Sequence, residues 1–421
     1  MKAKPSFSEA LRFWLKIGCI SFGGPSGQIA ILHKEIVETR EWISEEEFVQ
    51  ALQFCMMLPG PEAQQLATWI GWRLHGIRGG IVSGTLFLLP SALLLWLLSL
   101  LYVMGQHAPL ISAFFNGLKP AVVAIVFSAL WRIGKRTLTT PIHGLLALGA
   151  FLLFCWHLSY PAVVLGSAIL GAFVFQKSEH CVSPPKVREG SWIGSLTIAL
   201  RCAALWLLPM GMLFFWLGAK ALPVQIGFFF GKVAVLSFGG AYAALSFVSL
   251  HAVHDWGWMT SGAMMDGLGL AETTPGPLLM ALQFVAFLAA YNHPGTLSPL
   301  LAATLGSLTA LWSLFLPSFL WIFSLAPHMD RIASHRRVAG ALSAIGSVVT
   351  AVIAYLACWF AGNLFFPHGI SWLRFGSLPH IAWIPLILAV LVFVLLESKK
   401  IGIVPLILLA GGVGVLMKMV F

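Results

Sequence analysis

Charged residues are scarce in this chain of 421 residues. Asp, Glu, Lys and Arg together make up 10% of the sequence, whereas 59% of the residues are hydrophobic. A composition so poor in charge excludes an ordinary soluble domain and predicts an all-α protein that crosses a lipid bilayer several times. The 17 Trp and 31 Phe residues fit this prediction, because aromatic side chains concentrate at membrane interfaces.

Motifs for cofactor chemistry are also missing. The six Cys residues show no CxxC spacing and most lie in apolar stretches, so packing thiols are expected rather than disulfides or metal ligands. His251 and His254 form an HxxH, but no HExxH or carboxylate triad accompanies them. Nothing matches the P-loop pattern, which argues against ATP as the direct energy source. We therefore expect no cofactor, no resident metal and no catalytic residues.

Apolar stretches divide the chain into about 13 hydrophobic segments. Six precede a polar stretch at 177–190, one follows it at 193–218, and six more complete the chain. We therefore divide the sequence into a first repeat at 1–176, a cytoplasmic linker with one connecting helix at 177–222, and a second repeat at 223–421. The twelve repeat segments lie near 11–33, 47–72, 79–104, 109–133, 141–157, 159–175, 225–250, 261–291, 297–325, 338–362, 379–396 and 401–420.

Two short motifs recur at one fixed separation, which indicates an internal duplication. The Pro-Gly-Pro run at 59–61 returns at 275–277, and the Ser-Phe-Gly-Gly run at 21–24 returns at 237–240, so both keep the same shift in numbering (275 − 59 = 237 − 21). Two further pairs keep this shift: Trp42 with Trp258, and Lys16 with Lys232. An even number of segments followed by one connecting helix places the second copy upside down, an arrangement common in secondary transporters.

The basic residues support this inverted arrangement, because Lys and Arg that flank membrane spans stay in the cytoplasm. With the N-terminus inside, seventeen Lys and Arg residues fall in predicted inside loops and six in outside loops. The asymmetry also explains much of the net charge of +10, so we expect no nucleic-acid partner. Whether the first two segments of each repeat cross the bilayer or re-enter it in pairs stays open.

The two Pro-Gly-Pro runs predict interrupted helices inside apolar segments. Proline lacks an amide donor and pushes the preceding residue away from helical angles, while glycine lets the chain turn. Irregular backbone at that depth is tolerated only where it is buried in protein or lines a cavity. Each run precedes the N-terminus of a half-helix, whose amides and positive dipole end favour an anion. The sequence therefore predicts an ion or substrate site at the interruptions.

Several motifs of the first repeat resemble those of the chromate ion transporter (CHR) family. They are SFGGP at 21–25, HKE at 33–35 with Arg40 and Trp42, LPGPEAQQLA at 58–67, and Gly71-Trp72 with His75-Gly76 and Gly79-Gly80. The resemblance covers nearly the whole chain, although the second half keeps fewer of these motifs, and the duplicated length resembles the long-chain, two-domain chromate exporters. It implies a transporter of the bacterial inner membrane that exports chromate and confers chromate resistance, with sulfate as a structural analogue.

The residues around the interruptions suit a tetrahedral dianion. Lys16 and Lys232 lie in apolar segments shortly before a Ser-Phe-Gly-Gly run, and a charge there is costly and usually functional. An inverted repeat would bring the two lysines together; snorkelling of each to the interface is the alternative. We predict these substrate-binding residues: Lys16, Ser21, Gly23, Gly24, Pro59, Gly60, Pro61, Gln64, Gln65, Lys232, Ser237, Gly239, Gly240, Thr274 and Gly276.

Glu62 has two interpretations. A carboxylate at a helix N-terminus is favourable in itself, so Glu62 could simply cap the half-helix. Beside a buried anion site it could instead hold a proton in exchange for the anion, which makes it the candidate for proton coupling. Leu278 takes its place in the second repeat, so the polar chemistry is concentrated in the first. Gln64 and Gln65 could bind oxyanion oxygens or hydrogen-bond neighbouring helices.

Three functions stay open at this point. The favoured one is a secondary exporter of chromate that works by alternating access, driven by membrane potential, by proton antiport, or by both. The second is a transporter of another oxyanion, such as sulfate or molybdate. The third and least favoured is a membrane-embedded enzyme, since no nucleophile–base motif is found. A homodimer is also left open.

Overall fold

The computed structural model describes residues 4–105, 108–175, 191–329, 331, 335–366, 381–398 and 401–420. Regular structure within these ranges is entirely helical, as the composition predicts. The sixteen α-helices found there are α1 Phe7–Ile20, α2 Gly24–His33, α3 Glu45–Met57, α4 Glu62–Gly105, α5 Pro109–Thr137, α6 Pro141–Cys155, α7 Tyr160–Val174, α8 Trp192–Leu217, α9 Leu222–Leu236, α10 Ala241–Leu250, α11 Ser261–Thr273, α12 Ala281–Asn292, α13 Pro299–Leu325, α14 Arg336–Phe365, α15 Trp383–Glu397 and α16 Ile403–Val420.

Six of the described helices are long and apolar enough to cross a membrane. They are Glu62–Gly105, Pro109–Thr137, Trp192–Leu217, Pro299–His328, Arg336–Phe365 and Ile403–Val420. The shorter apolar helices are Pro141–Cys155, Tyr160–Val174, Leu222–Leu236, Leu278–Asn292 and Trp383–Glu397. This set of helices supports a multi-pass membrane protein, whereas the total of 13 segments stays a prediction.

Four helix breaks fall at the recurring motifs. They lie at residues 21–23, 58–61, 237–240 and 274–277, the last with a 3₁₀ turn, Leu278–Met280, before α12. The helices beside the breaks are short. With ten residues each, α2 and α10 continue as the π-helices Lys34–Thr39 and His251–Asp255. At about 1.5 Å per residue each stretch is at most ~24 Å long, shorter than the ~30 Å hydrocarbon core.

The predicted boundary between segments 47–72 and 79–104 coincides with a kink in α4. His75 (φ −133°, ψ 20°) and Gly76 (φ 66°) leave helical geometry, so α4 consists of two helical stretches. In the second half of the chain a non-helical turn at 293–298 separates α12 from α13. Both halves therefore follow their Pro-Gly-Pro run with a short helix, a sharp change of direction and a longer helix.

The two halves of the chain are intertwined. From the first half, α5 packs against α14, α15 and α16, and α6 and α7 pack against α14. The long helix α4 packs against both α12 and α13. Neither half therefore covers its apolar helices without the other.

Two pairs of helices approach closely where glycines face each other. A Cβ added to Gly117 in α5 would lie 2.7 Å from the Cα of Gly414 in α16. One added to Gly171 in α7 would lie 2.5 Å from the carbonyl oxygen of Gly340 in α14. Small residues permit this approach, and van der Waals packing of this kind drives helix association in lipid.

The half-helices that follow the Pro-Gly-Pro runs lie in the core. Every residue of α12 from 281 to 290 is buried, as expected for a helix that is apolar on all sides. Its one polar residue in that stretch, Gln283, donates from Nε2 to the Ala92 carbonyl at 2.9 Å. Residues 63–71 at the start of α4 are buried as completely.

The connecting helix α8 lies at the periphery. Of its 26 residues, Ser195 and Met210 are the buried ones. Trp192 stacks on His328 with 3.7 Å between ring centroids, and Ser195 Oγ lies 2.9 Å from His328 Nε2, which fixes α8 to the end of α13. The predicted linker at 177–190 lies outside the described residues.

Candidate functional site

Four backbone segments from the two halves are linked in pairs: residues 58–61 with 237–240, and residues 274–277 with 21–24. We call these four segments the crossed loops. The Gly60 amide donates to the Ser237 carbonyl at 3.2 Å, and the Gly276 amide donates to the Ser21 carbonyl at 2.8 Å. The two donors and the two acceptors are separated by the same shift in numbering (276 − 60 = 237 − 21). Each Pro-Gly-Pro run is therefore bonded to the Ser-Phe-Gly-Gly run of the other half of the chain.

Glycine is required at the turning points of the crossed loops. Gly60 has φ 122° and Gly276 has φ 97°, backbone angles that residues other than glycine rarely adopt. The two glycines of each Ser-Phe-Gly-Gly run also have positive φ angles: Gly23, Gly24, Gly239 and Gly240. Gly23 and Gly239 are exposed, so this part of the crossed loops reaches the surface of the described structure.

The other predicted residues of these segments are buried, as are the two predicted glutamines at the start of α4: Ser21, Pro59, Gly60, Pro61, Gln64, Gln65, Ser237, Thr274 and Gly276. Three of these residues donate a side-chain hydroxyl to a carbonyl at the C-terminal end of a helix. Ser21 Oγ donates to the Ile17 carbonyl at 2.6 Å, Ser237 Oγ donates to that of Ala234 at 3.1 Å, and Thr274 Oγ1 donates to that of Ala271 at 2.9 Å. Because their protons are used within the protein, these hydroxyls fix the loop ends.

Two glutamine side chains brace the crossed loops. Gln65 Nε2 donates to the Pro59 carbonyl at 2.7 Å, and Gln28 Nε2 donates to the carbonyls of Ser21, at 3.2 Å, and Gly276. Gln64 instead bonds within its own helix, from Nε2 to Thr68 Oγ1 at 3.3 Å. Gln28 was not among the predicted residues. It lies seven residues after Ser21 but across the helix break at 21–23, so helical spacing from Ser21 does not predict its position.

Glu62 opens α4 beside a loop of the other half. A Cβ added to Gly240 would lie 3.9 Å from Glu62 Oε1. Arg136 of α5 is exposed, its Nη2 lies 3.2 Å from the Met56 sulfur, and it acts on this carboxylate by long-range electrostatics. Glu62 is therefore placed between the first Pro-Gly-Pro run and the second Ser-Phe-Gly-Gly run, with an arginine nearby.

A second carboxylate, Glu272, precedes the second Pro-Gly-Pro run and is 5% exposed. Tyr242 donates its hydroxyl to Glu272 Oε1 at 2.8 Å, and Arg132 acts electrostatically on this carboxylate. Arg132 and Arg136 are one turn apart, which puts both on one face of α5. In the sequence, loop charge alone accounts for them. In the structure both arginines are exposed and act electrostatically on the two glutamates that flank the crossed loops. Guanidinium is the side-chain cation best suited to bidentate contact with an oxyanion.

The predicted lysines lie on exposed helix faces. Lys16 forms an ion pair with Glu35 at 3.5 Å, and its side chain is 55% exposed. Lys232 is exposed on α9. The helical rotation from each lysine to the serine that follows it is about 140° beyond one full turn, so the two side chains point in well-separated directions. The structure thus groups the crossed loops but leaves both lysines, like Arg132 and Arg136, at the surface of the described protein.

A separate charged cluster joins α4, α5 and α11. Asp266 is 4% exposed, accepts a hydrogen bond from the Tyr102 hydroxyl at 3.0 Å, and pairs with Lys119 Nζ at 3.9 Å. The Tyr102 ring packs edge-on against Phe115 and Phe284, which shields the cluster. Among the described residues, no group of three or more His, Cys, Asp and Glu side chains is placed to hold a metal ion.

Comparison with known families gives two matched stretches in this chain. The family model described as "Chromate transporter" matches residues 8–172 and 224–415. The starts of the two stretches keep the shift that relates the two pairs of crossed loops (224 − 8 = 237 − 21).

Three relatives are similar over most of their length. The "Chromate transport protein" of Pseudomonas aeruginosa is 29% identical over 83% of this chain and 79% of its own. The "Probable chromate transport protein" of Synechococcus elongatus is 26% identical over 83% of each. The "Chromate transport protein" of Cupriavidus metallidurans is 25% identical over 82% of this chain and 81% of its own. No solved structure matches the chain.

Proposed function

The chain belongs to the chromate transporter family, and on that premise we propose that it exports chromate across a bacterial inner membrane as a secondary transporter. The observation that carries the proposal is the reciprocal pair of hydrogen bonds from Gly60 to Ser237 and from Gly276 to Ser21. Because each interrupted helix is bonded to the other half, a movement between the halves displaces both interruptions together. Alternating access needs such a linked movement at the substrate site.

The crossed loops supply the contacts for a tetrahedral dianion. The first amides of α4, from Glu62 to Gln64, have no partner within their own helix, and the positive end of the helix dipole lies there. Arg132 and Arg136 bring two positive charges to the same region. The glycines of the Ser-Phe-Gly-Gly runs allow the backbone to approach an anion closely. The lysine pair, Lys16 and Lys232, stays a prediction.

The proposal includes two inverted repeats, 1–176 and 223–421, joined by the segment 177–222, with the N-terminus in the cytoplasm. It is supported by the single shift in numbering that relates the sequence motifs, the helix breaks and the inter-half bonds of the two halves. The distribution of Lys and Arg supports the orientation.

Membrane potential is sufficient to drive export. Moving one charge through ~100 mV is worth ~2.3 kcal/mol, so a dianion that leaves an inside-negative cell gains roughly 4–5 kcal/mol. Each ~1.4 kcal/mol corresponds to a factor of ten, which gives about a thousandfold gradient. Proton antiport through Glu62 would add to this driving force without being required for it.

Flux in everted membrane vesicles tests the function. Labelled chromate uptake is expected to exceed that of vesicles without the protein, to rise with an inside-positive potential, and to fall when sulfate competes. Preference for sulfate or molybdate over chromate would assign the site to another oxyanion. Uptake equal to that of empty-vector vesicles for all three anions, with the protein present in the membrane, would overturn the proposal.

A further inference from the structure

Two buried serines occupy corresponding places beside the crossed loops. Ser91 follows Pro90 inside α4, and Ser318 follows Pro317 inside α13, each after a Leu-Pro pair. Each half of the chain therefore carries a Leu-Pro-Ser run downstream of its own Pro-Gly-Pro run. Both serines are enclosed, at 0% and 1% exposure.

Each serine contacts the Pro-Gly-Pro run of the opposite half. A Cβ added to Gly276 would lie 2.6 Å from the Ser91 Cβ and 2.8 Å from its Oγ. A Cβ added to Gly60 would lie 2.9 Å from the Ser318 Oγ. A glutamine amide also lies beside each glycine. Gln28 Nε2 donates to the Gly276 carbonyl. Gln65 Nε2 would lie 2.8 Å from a Cβ added to Gly60.

Neither serine hydroxyl has a hydrogen-bond partner within the described part of the chain. Two other buried serines of the same helices do have one: Ser99 Oγ donates to the Leu95 carbonyl at 2.6 Å, and Ser324 Oγ donates to the Leu320 carbonyl at 2.5 Å. Ser307 of α13 is a further buried serine whose hydroxyl has no partner in the described part of the chain, but Ser91 and Ser318 are the two that lie beside the Pro-Gly-Pro glycines. A buried hydroxyl that gives up water without a replacement bond is costly. Two such donors, each next to a positive-φ glycine of the crossed loops, are available to an acceptor that enters from outside the protein.

The backbone next to these hydroxyls is already bonded. The Gly60 and Gly276 amides are used in the bonds between the halves, and the glutamine amides occupy loop carbonyls. Among the described residues at the two runs, the serine hydroxyls are therefore neutral donors that stay free. An oxyanion, with several acceptor oxygens and no donors, is the chemical class that such groups suit.

We propose that Ser91 and Ser318 donate hydrogen bonds to the transported oxyanion as it passes the Pro-Gly-Pro runs, one from each half of the chain. The proposal rests on the function proposed above and adds two specificity-determining residues to it. The donors are neutral, so they recognise the oxyanion oxygens without adding charge that would slow release.

Alanine and cysteine variants test this assignment. Ser91→Ala and Ser318→Ala each remove a hydroxyl that has no internal partner among the described residues, so the apparent melting temperature in detergent without anion is expected to stay the same or rise. The KM for chromate in proteoliposomes is expected to rise about tenfold in each variant, since a bond to a charged group is lost. Ser91→Cys keeps a weak donor of similar size and should lie between.

Ser99→Ala and Ser324→Ala are the matched controls, because their hydroxyls already donate within their helices; their KM should equal that of the wild type. An unchanged KM in both Ser91→Ala and Ser318→Ala would overturn the proposal. So would a lower melting temperature with unchanged KM, which would assign the hydroxyls to structural water.

The change in melting temperature on adding sulfate distinguishes a failure of this inference from a failure of the proposed function. If the wild type shows the shift and both serine alanine variants lose it, the serines bind an oxyanion. That result stands even if flux excludes chromate as the transported anion. A shift retained in both variants would reject the serines even if the wild type transports chromate.

Discussion

The Gly60 amide donates a hydrogen bond to the Ser237 carbonyl at 3.2 Å, joining two residues that belong to different halves of the chain. The same bond recurs between Gly276 and Ser21 at 2.8 Å. The two interrupted helices are thus anchored to each other's halves. The shape of the site at one interruption depends on the position of both halves.

Replacing either Pro-Gly-Pro glycine should disrupt the crossed loops. In Gly60→Ala, the backbone at φ 122° is strained by about 1–2 kcal/mol, and the new Cβ would lie 2.8 Å from Gln65 Nε2 and 2.9 Å from Ser318 Oγ. We expect a lower apparent melting temperature and loss of most chromate flux for Gly60→Ala, and the same for Gly276→Ala.

Gly149→Ala is the control for these variants. Gly149 is an exposed residue of α6, and an added Cβ meets nothing within 4 Å. Alanine is favoured over glycine in a helix by about 1 kcal/mol, so stability should be equal or higher and flux unchanged. Wild-type flux in Gly60→Ala would show that the crossed loops do not form part of the pathway.

The two arginines of α5 should be the cations that attract the dianion. Arg136→Ala is expected to raise the KM for chromate by about 10- to 100-fold, because a charged hydrogen bond contributes about 1.5–3 kcal/mol. Arg132→Ala should behave similarly. Initial rates over a range of chromate concentrations measure both effects.

Lys232→Ala in the same assay tests the cation pair that the sequence predicts. A rise in KM as large as that of Arg136→Ala, with normal insertion, would support the lysines. An unchanged rate would remove Lys232 from the site. Wild-type kinetics in both arginine variants would remove the arginines.

Glu62→Gln separates capping from proton coupling. If Glu62 exchanges a proton for the anion, the amide variant loses the dependence of flux on an imposed pH gradient but still responds to membrane potential. Flux measured at several pH gradients and zero potential decides between the two roles. A pH-gradient response equal to that of the wild type would leave Glu62 with the capping role alone.

Breaking the buried pair of Lys119 and Asp266 should be costly unless both charges are removed. Lys119→Met leaves the Asp266 carboxylate, 4% exposed, without its cation, which is expected to destabilise the fold by about 3–5 kcal/mol. Adding Asp266→Asn should restore most of this loss. Melting temperatures of the two single variants and the double variant form the cycle. A loss in the double variant equal to the sum of the losses in the two single variants would show that the pair is not coupled.

The interruptions were predictable because they depend on local chemistry. Proline cannot donate to a helix and glycine permits positive φ, so the Pro-Gly-Pro runs indicate breaks wherever they occur in an apolar segment. The helix ends at Met57 and Thr273 and the restarts at Glu62 and Leu278 follow from this. The kink at 75–76 likewise lies between two predicted segments.

The partners across the breaks were not predictable from one sequence. That Gly60 bonds Ser237 rather than a residue of its own half depends on how the two halves intertwine, which local patterns do not encode. The same applies to Arg132 and Arg136. The sequence places them in a predicted inside loop, which does not indicate that they act on Glu62 and Glu272. For the lysines, the sequence spacing itself was informative. A helical rotation of about 140° separates Lys16 from Ser21, so the two side chains are not expected to point into the same site.

Chromate uptake by the purified protein in proteoliposomes, measured as the membrane potential is varied by a potassium gradient with valinomycin, tests the central claim most directly. If the crossed loops carry a dianion, the wild type accumulates chromate when the lumen is positive, sulfate competes, and Gly60→Ala reduces the rate while Gly149→Ala does not. Uptake that ignores the potential, or that is the same in Gly60→Ala and the wild type, would contradict this account.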